Sequence, residues 1–122
     1  MQKKILILDD TQSMRSLLSM TLKQSGYSVI EAVDGIDGLE KLKENPDIDL
    51  IFTDLNMPNK NGVEFIKDVK AINAFKGIPI VMLTTESEEQ KKMEGKAAGA
   101  MAWVVKPFKV DAIQANMGKI IN

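Results

Sequence analysis

The chain alternates short apolar runs with longer segments in which apolar residues recur every three or four positions. A continuous apolar run of about four to eight residues is typical of a strand buried on both faces of a parallel sheet. Three such runs are present, together with the shorter run Leu50-Ile51-Phe52 and a fifth segment that is mostly apolar. We therefore predict strands at residues 5–8, 27–32, 50–54, 80–83 and 102–105.

The segments between these strands show helical spacing, which predicts a helix after every strand. The first helix begins at Thr11 or Ser13, either of which can serve as an N-cap, and stops at Gly26. A turn or cap at Asp34-Gly35 precedes the second helix. The fourth helix has the weakest apolar pattern, and Gly95 costs it about 1 kcal/mol relative to alanine. The last four helices are predicted at residues 36–45, 63–72, 88–98 and 110–120.

This alternation with short connections predicts an α/β fold in which five parallel strands form one doubly wound sheet. Right-handed crossovers place the helices on both faces of such a sheet. No repeat, linker or low-complexity segment interrupts the pattern. We therefore expect residues 1–122 to form one domain, with no second domain for output.

The composition excludes several classes of protein. A net charge of −1 argues against a general nucleic-acid or membrane-surface binder. No apolar run is long enough to span a membrane and no signal peptide is visible, so the cytoplasm is the expected compartment. The absence of cysteine and histidine excludes disulfides, thiolate chemistry and a Ser-His-Asp triad. A bound metal must therefore have oxygen ligands, which favours a hard cation such as Mg²⁺.

Polar side chains follow four of the five predicted strands. Asp9 and Asp10 end the first strand, Asp54 ends the third, and Thr84 and Lys106 follow the fourth and fifth. Because the carboxyl ends of parallel strands share one edge, where open α/β sheets bind ligands, these groups should converge on one pocket.

The predicted pocket has a chemical logic. Three neighbouring carboxylates repel one another, and Mg²⁺ removes that conflict while leaving positions for phosphate oxygens. One carboxylate can then act as a nucleophile toward phosphorus and form an acyl phosphate. The ammonium of Lys106 and the hydroxyl of Thr84 are suited to hold the phosphoryl oxygens.

Four motifs together resemble the response-regulator receiver domains, particularly the stand-alone, CheY-like members of that family. The resemblance covers essentially all 122 residues and implies the strand order 2-1-3-4-5. It also implies a phosphoacceptor protein of a two-component system, which catalyses only its own phosphoryl transfer and dephosphorylation and is not otherwise an enzyme. The motifs are Ile5 to Asp10, Asp54-Leu55-Asn56-Met57-Pro58 with Asn61-Gly62, Leu83-Thr84, and Val105-Lys106-Pro107-Phe108.

The resemblance assigns roles to the residues of the pocket. Asp54 is the expected phosphoacceptor. Asp10 is the expected direct Mg²⁺ ligand, Asp9 assists through water, and Asp54 and the backbone carbonyl of Asn56 complete the set. Lys106 is the expected phosphoryl partner.

The resemblance also implies a conformational switch. Thr84 supplies the switch hydroxyl, and Trp103 stands where the family has a rotamer-switching aromatic residue. Simple core packing is the alternative role for Trp103. The bond between Lys106 and Pro107 is expected to be cis. Thr85 departs from the small residue usual after the switch hydroxyl and should crowd access to the phosphoryl group.

The implied partners are a histidine kinase of the CheA-like type and a target protein bound in response to phosphorylation. A flagellar motor switch protein and a phosphatase are further candidates, whereas nucleic acid and membrane are not expected. Chemotaxis is the leading interpretation, and a phosphorelay intermediate or phosphate sink is the alternative. Glu88 and Glu89 are expected to give the start of the fourth helix a negative charge. In another class, a flavodoxin-like FMN binder shares the topology, but Asp9 and Asp10 would repel its phosphate.

Overall fold

The computed structural model describes residues 2–120, apart from the side chain of Glu86. Met1 and the last two residues of the predicted domain lie outside the described residues. Strands and helices alternate along the described chain as the apolar pattern predicts. The elements are β1 (Lys4–Leu8), α1 (Gln12–Gln24), β2 (Ser28–Ala32), α2 (Gly35–Glu44), β3 (Leu50–Asp54), α3 (Gly62–Ala71), β4 (Ile80–Thr84), a 3₁₀ turn (Glu86–Glu88), α4 (Glu89–Ala98), β5 (Ala102–Val105) and α5 (Val110–Ile120).

The five strands form one parallel sheet in the order β2-β1-β3-β4-β5. This confirms the predicted doubly wound fold and its strand order. The register places Leu8 beside Thr53, Asp54 beside Leu83, and Thr84 beside Val105. The strands that carry the predicted polar residues therefore end at nearly the same level.

The core consists of two apolar layers, one on each face of the sheet. Alternate side chains of each central strand point to opposite faces of the sheet. Because an apolar layer covers each face, both faces of β1, β3 and β4 are buried. One layer joins the sheet to α1 and α5 through Leu18, Leu22, Ile113 and Met117. The other joins it to α2 and α3 through Leu42, Phe65, Ile66 and Val69.

Helix α4 lies close against β4 at Gly95. A Cβ atom at this position would be 2.2 Å from Sδ of Met82, so a larger residue would have to displace that side chain. The glycine that weakens the helical pattern therefore permits the helix to approach the sheet.

The structure refines several predicted element ends. Thr11 precedes α1, but its side chain makes no capping hydrogen bond, and Ser13 lies inside the helix. Asp34 caps α2 by accepting a 2.8 Å hydrogen bond from the Asp37 N–H. Helix α4 begins one residue later than predicted because the 3₁₀ turn precedes it. Among the described helices, none combines the length and apolarity needed to cross a membrane.

Candidate functional site

Three carboxylates meet at the carboxyl edge of the sheet. Oxygen atoms of Asp9, Asp10 and Asp54 all lie within 4.8 Å of one another. Asp9 and Asp54 are 1% and 6% exposed, whereas Asp10 is open to solvent. A compact set of oxygen donors with one accessible member fits a hard divalent cation such as Mg²⁺.

The Lys106 ammonium lies between two of these carboxylates. Its Nζ atom donates a 3.1 Å hydrogen bond to Oδ2 of Asp9 and lies 3.1 Å from Oδ2 of Asp54. The backbone N–H of Lys106 donates to the Thr84 carbonyl, and the bond from Lys106 to Pro107 is cis. The segment after β5 is thus joined to the end of β4 while its ammonium reaches the acid cluster.

Burial and ion pairing shift the pKa values of this pair. Burial raises the pKa of Asp54, and the Lys106 charge opposes that shift only in part. Burial acts to lower the pKa of Lys106, but the carboxylates of Asp54 and Asp9 outweigh it and the pKa is raised. Lys106 is therefore a cation at neutral pH, and the Asp54 oxygen is more basic than that of an exposed aspartate.

The chain after Asp54 folds back closely against its backbone. Oδ1 of Asp54 accepts a 2.8 Å hydrogen bond from the Leu55 N–H. The Gly62 N–H then donates to the Leu55 carbonyl at 3.0 Å. A Cβ atom on Gly62 would lie only 2.1 Å from the Asp54 carbonyl oxygen, so this approach requires glycine.

Asp9 is held by more partners than its sequence position suggests. Its Oδ1 atom accepts a 2.9 Å hydrogen bond from the Thr11 N–H. Its carbonyl accepts a 2.7 Å hydrogen bond from Nη1 of Arg15, which also pairs with Glu31. Arg15 was not among the residues predicted for the site, because only the packing of α1 brings its guanidinium to the end of β1.

Asn56 makes side-chain contacts that were not anticipated. Its Nδ2 atom donates to Oε2 of Glu88, and its Oδ1 atom accepts from Nζ of Lys91. Glu88 is only 9% exposed, so of the two acids expected to give the start of α4 its negative charge, only Glu89 is exposed. The spacing of Thr85 and Glu88 matches a capping box, which could have marked Glu88 as a capping residue. Nothing in the sequence indicates its contact with Asn56.

The two residues of the predicted switch, Thr84 and Trp103, lie on the neighbouring strands β4 and β5. Thr84 is buried at the end of β4, and Thr85 follows it with a side-chain contact to Ser87. Trp103 on β5 is 39% exposed, which does not support the alternative of simple core packing. The structure thus places the predicted acid cluster and Lys106 together, with Thr84 and Asn56 on the adjoining strand ends.

Comparison with known proteins agrees with this arrangement. Residues 5–117 match the family described as response regulator receiver domain. The chain is 38% identical over 119 residues to the Helicobacter pylori chemotaxis protein CheY1, covering 97% of this chain and 96% of that protein. It is 40% identical to the solved Vibrio cholerae chemotaxis regulator CheY4, with a TM-score of 0.92 and coverage of 99% and 100%.

A third comparison shows the fold alone. The receiver domain of a Pseudomonas aeruginosa sensor histidine kinase is 23% identical, with a TM-score of 0.91 and coverage of 99% and 98%. That structure was solved with a magnesium ion coordinated in its active site cleft.

The family match to receiver domains spans most of the chain, and this decides against the flavodoxin-like FMN binder. The chain belongs to the response regulator receiver domain family and is homologous to the CheY chemotaxis regulators of two-component systems.

Proposed function

We propose that Asp54 accepts a phosphoryl group from a histidine kinase and that the phosphorylated protein controls a target in chemotaxis. The observation that carries the proposal is the position of Lys106, whose Nζ atom lies 3.1 Å from carboxylate oxygens of both Asp9 and Asp54. A cation at this point can hold an oxygen of a phosphoryl group on Asp54. The homology to CheY regulators supports the same assignment.

The donor set of the pocket fits Mg²⁺. The ion would be held through oxygen atoms alone, by the carboxylates of Asp9, Asp10 and Asp54 and by the backbone carbonyl of Asn56. When bound, Mg²⁺ supplies positive charge that offsets the charge of the transferring phosphoryl group. Asp10 is the exposed member of the cluster and therefore the most open to a direct metal ligand role. The magnesium site of the Pseudomonas receiver domain agrees with this proposal.

The transfer step requires the ionised Asp54 carboxylate. One of its oxygens forms a bond to phosphorus while the bond from phosphorus to the kinase imidazole nitrogen breaks. The phosphorylated imidazole carries a proton on its other ring nitrogen, so the leaving nitrogen keeps the electron pair of the broken bond and departs as part of a neutral imidazole, and the product on Asp54 is an acyl phosphate. Lys106 and the hydroxyl of Thr84 then hold phosphoryl oxygens, since both groups lie at the same sheet edge.

The output follows from the same groups. A phosphoryl group adds about two negative charges, which draw Thr84 and Lys106 toward Asp54. Movement of Thr84 leaves space beside β5 into which Trp103 can turn, changing the face formed by α4, β5 and α5. A CheA-like kinase, a flagellar motor switch protein and a phosphatase are the proposed partners, in the cytoplasm.

A phosphorelay intermediate or phosphate sink remains the alternative function. A relay intermediate or a phosphate sink would accept the phosphoryl group by the same chemistry as a chemotaxis regulator. The functions differ only in the protein to which the phosphorylated form binds or passes its phosphoryl group. The homology to chemotaxis regulators favours control of a chemotaxis target. Binding of motor-switch protein only after phosphorylation is the outcome that separates this proposal from a relay or a sink.

Phosphorylation by a small donor tests the acceptor assignment. The protein is incubated with phosphoramidate and Mg²⁺, and the intact mass is measured. We expect the mass of one added phosphoryl group in the wild type and in Asp111→Asn, a control that changes an exposed acid on α5. The Asp54→Asn variant, and the wild type in excess EDTA, should stay unlabelled. Full labelling of Asp54→Asn would contradict the proposal.

A further inference from the structure

One carboxylate joins the two segments that follow β3 and β4. Oε1 of Glu88 accepts a 2.7 Å hydrogen bond from the Thr85 N–H, immediately after the end of β4. Oε2 of the same carboxylate accepts from Nδ2 of Asn56, two residues after the end of β3. Glu88 thereby connects two walls of the pocket around Asp54, although it is separated from Asn56 by 32 positions in the chain.

Glu88 is held in place at its backbone as well as at its carboxylate. Its N–H donates to the Thr85 carbonyl at 3.1 Å, and its carboxylate accepts from the Thr85 N–H in the manner of a capping box. Its low exposure of 9% shows that the carboxylate is enclosed rather than solvated. A buried carboxylate needs hydrogen-bond donors, and Thr85 and Asn56 supply them.

Lys91 fixes the other end of the Asn56 amide. Its Nζ atom donates to Oδ1 of Asn56, while Nδ2 of Asn56 donates to Glu88. A carboxylate only accepts hydrogen bonds and an ammonium only donates them, so the amide satisfies both partners in one orientation alone. Rotating the amide by 180° would oppose two donors on one side and two acceptors on the other.

These contacts anchor the short segment from Asp54 to Asn56 at both ends. At one end the Leu55 N–H is bonded to Oδ1 of Asp54, and at the other the Asn56 side chain is bonded to Glu88 and Lys91. We propose that Glu88, assisted by Lys91, is a positioning residue that fixes the Asn56 backbone carbonyl for Mg²⁺ binding. This inference rests on the proposed function, which makes that carbonyl a metal ligand.

The expected loss of Mg²⁺ affinity on replacing Glu88 follows from the behaviour of other groups that orient metal ligands. Loss of such an outer partner typically lowers metal affinity 10–100-fold. We therefore expect Glu88→Gln to weaken Mg²⁺ binding about tenfold. The glutamine amide can still accept from Thr85 through its oxygen, but its NH₂ group cannot accept from Nδ2 of Asn56.

A purely structural role for Glu88 predicts a different pattern. If Glu88 served only as a cap for the 3₁₀ turn and α4, Asn56→Ala would leave Mg²⁺ affinity unchanged, because the capping box does not involve Asn56. If Glu88 positions Asn56, Asn56→Ala and Glu88→Gln should each weaken Mg²⁺ binding. The double variant should then be little worse than either single variant, since both changes remove the same connection.

Isothermal calorimetry with MgCl₂ on the unphosphorylated protein tests the inference. Glu94→Gln is the matched control, because it removes the same charge from α4 at an exposed position that lines the same groove as Glu88. We expect wild-type affinity in Glu94→Gln. Equal losses in Glu94→Gln and Glu88→Gln would reduce the effect to net charge and overturn the positioning role.

The remaining outcomes separate the two proposals. A wild type that binds Mg²⁺ through Asp10 and a Glu88→Gln variant with the same affinity would overturn this inference alone. A wild type that binds no Mg²⁺ would overturn the proposed function and this inference together. In metal-free protein, the Thr85 amide resonance should shift in Asn56→Ala, because the two groups share the Glu88 carboxylate. An unshifted resonance would show that the connection is not formed.

Discussion

The Lys92 ammonium lies 4.6 Å from the centre of the Trp103 ring. Lys96, one helical turn farther along α4, places its ammonium 4.7 Å from the same centre. Contacts of this kind contribute about 0.5–1 kcal/mol each at exposed sites. Because both lysines belong to α4, they stabilise the outward position of Trp103 and couple the strand to the helix beside it.

The first prediction concerns this outward position. With Mg²⁺ and BeF₃⁻, which mimics a phosphoryl group on Asp54, Trp103 should turn inward and become less accessible to acrylamide. Fluorescence quenching measures this directly, because Trp103 is the only tryptophan in the sequence. Removing both lysine contacts in Lys92→Gln/Lys96→Gln should lower the BeF₃⁻ concentration at the midpoint roughly tenfold, since about 1–2 kcal/mol that favours the outward state is lost.

Two further variants serve as controls for the switch. Lys43→Gln/Lys119→Gln removes the same charge from exposed positions on other helices and should leave the midpoint near that of the wild type. Thr84→Ala should lose the change in quenching, because it removes the hydroxyl that we propose responds to the phosphoryl mimic. Unchanged quenching of the wild type at saturating BeF₃⁻ would show that Trp103 does not switch.

The second prediction compares the two adjacent acids. Both carboxylate oxygens of Asp9 already have partners in Thr11 and Lys106, whereas Asp10 is exposed. Asp10→Asn should therefore weaken Mg²⁺ binding more than Asp9→Asn does. Relative to the wild type, we expect the affinity of Asp10→Asn to fall by at least the 10–100-fold that is typical when a residue orienting a metal ligand is lost. Calorimetric titration measures both affinities. A larger loss in Asp9→Asn would reverse the assignment of the direct ligand.

The third prediction concerns stability and pH. The folded-state pKa of Asp54 is raised by burial, so above the ordinary value near 4 the folded state binds more protons than the unfolded state. The free energy of unfolding then falls as pH rises through this range, and the penalty is complete above the folded-state pKa. Asp54→Asn should therefore raise the urea midpoint of the metal-free protein at neutral pH.

The gain in Asp54→Asn should shrink as pH falls toward the ordinary pKa near 4 and vanish below it, because both states of the wild type then carry the protonated acid. Asp34 offers a control of opposite sign. Its pKa is lowered chiefly by the Asp37 N–H, so its carboxylate stabilises the fold above the ordinary pKa and loses that effect as pH falls. Asp34→Ala should cost about 1 kcal/mol at neutral pH through loss of the α2 cap. A lower urea midpoint in Asp54→Asn at pH 7 would contradict the prediction.

The fourth prediction concerns the close approach at Gly62. A Cβ atom there would meet the Asp54 carbonyl oxygen at 2.1 Å and Cα of Leu55 at 2.8 Å, and backbone atoms cannot move aside cheaply. Gly62→Ala should therefore destabilise the fold by about 1–3 kcal/mol and slow phosphorylation of Asp54 by displacing it. Urea unfolding and phosphoramidate labelling measure the two effects.

Gly77 provides the matched control for Gly62. A Cβ atom at Gly77 meets no atom within 4 Å, so Gly77→Ala should be neutral or stabilising by about 0.4–1 kcal/mol. Its rate of labelling should equal that of the wild type. Equal stability of Gly62→Ala and Gly77→Ala would show that the loop after Asp54 adjusts without cost.

The sequence determined the strands and the place of the acid cluster. Apolar runs such as residues 50–52 are typical of strands buried on both faces in the middle of a parallel sheet. Once the strands are parallel, their carboxyl ends must share an edge, and Asp9, Asp54 and Lys106 follow those ends directly. The convergence of these groups therefore needed no knowledge of side-chain packing.

Only the tertiary structure decided how the side chains around the cluster are partnered. Asp9 and Asp10 are neighbours in sequence, yet one is enclosed by Lys106 and the other faces solvent. The contact between Glu88 and Asn56, like the outward position of Trp103, depends on where α4 lies against the sheet. That position depends on the close approach of Gly95 to Met82, which spacing along one element cannot indicate. Helical spacing shows which residues share a face, but the partner of that face is chosen by packing between elements distant in the chain.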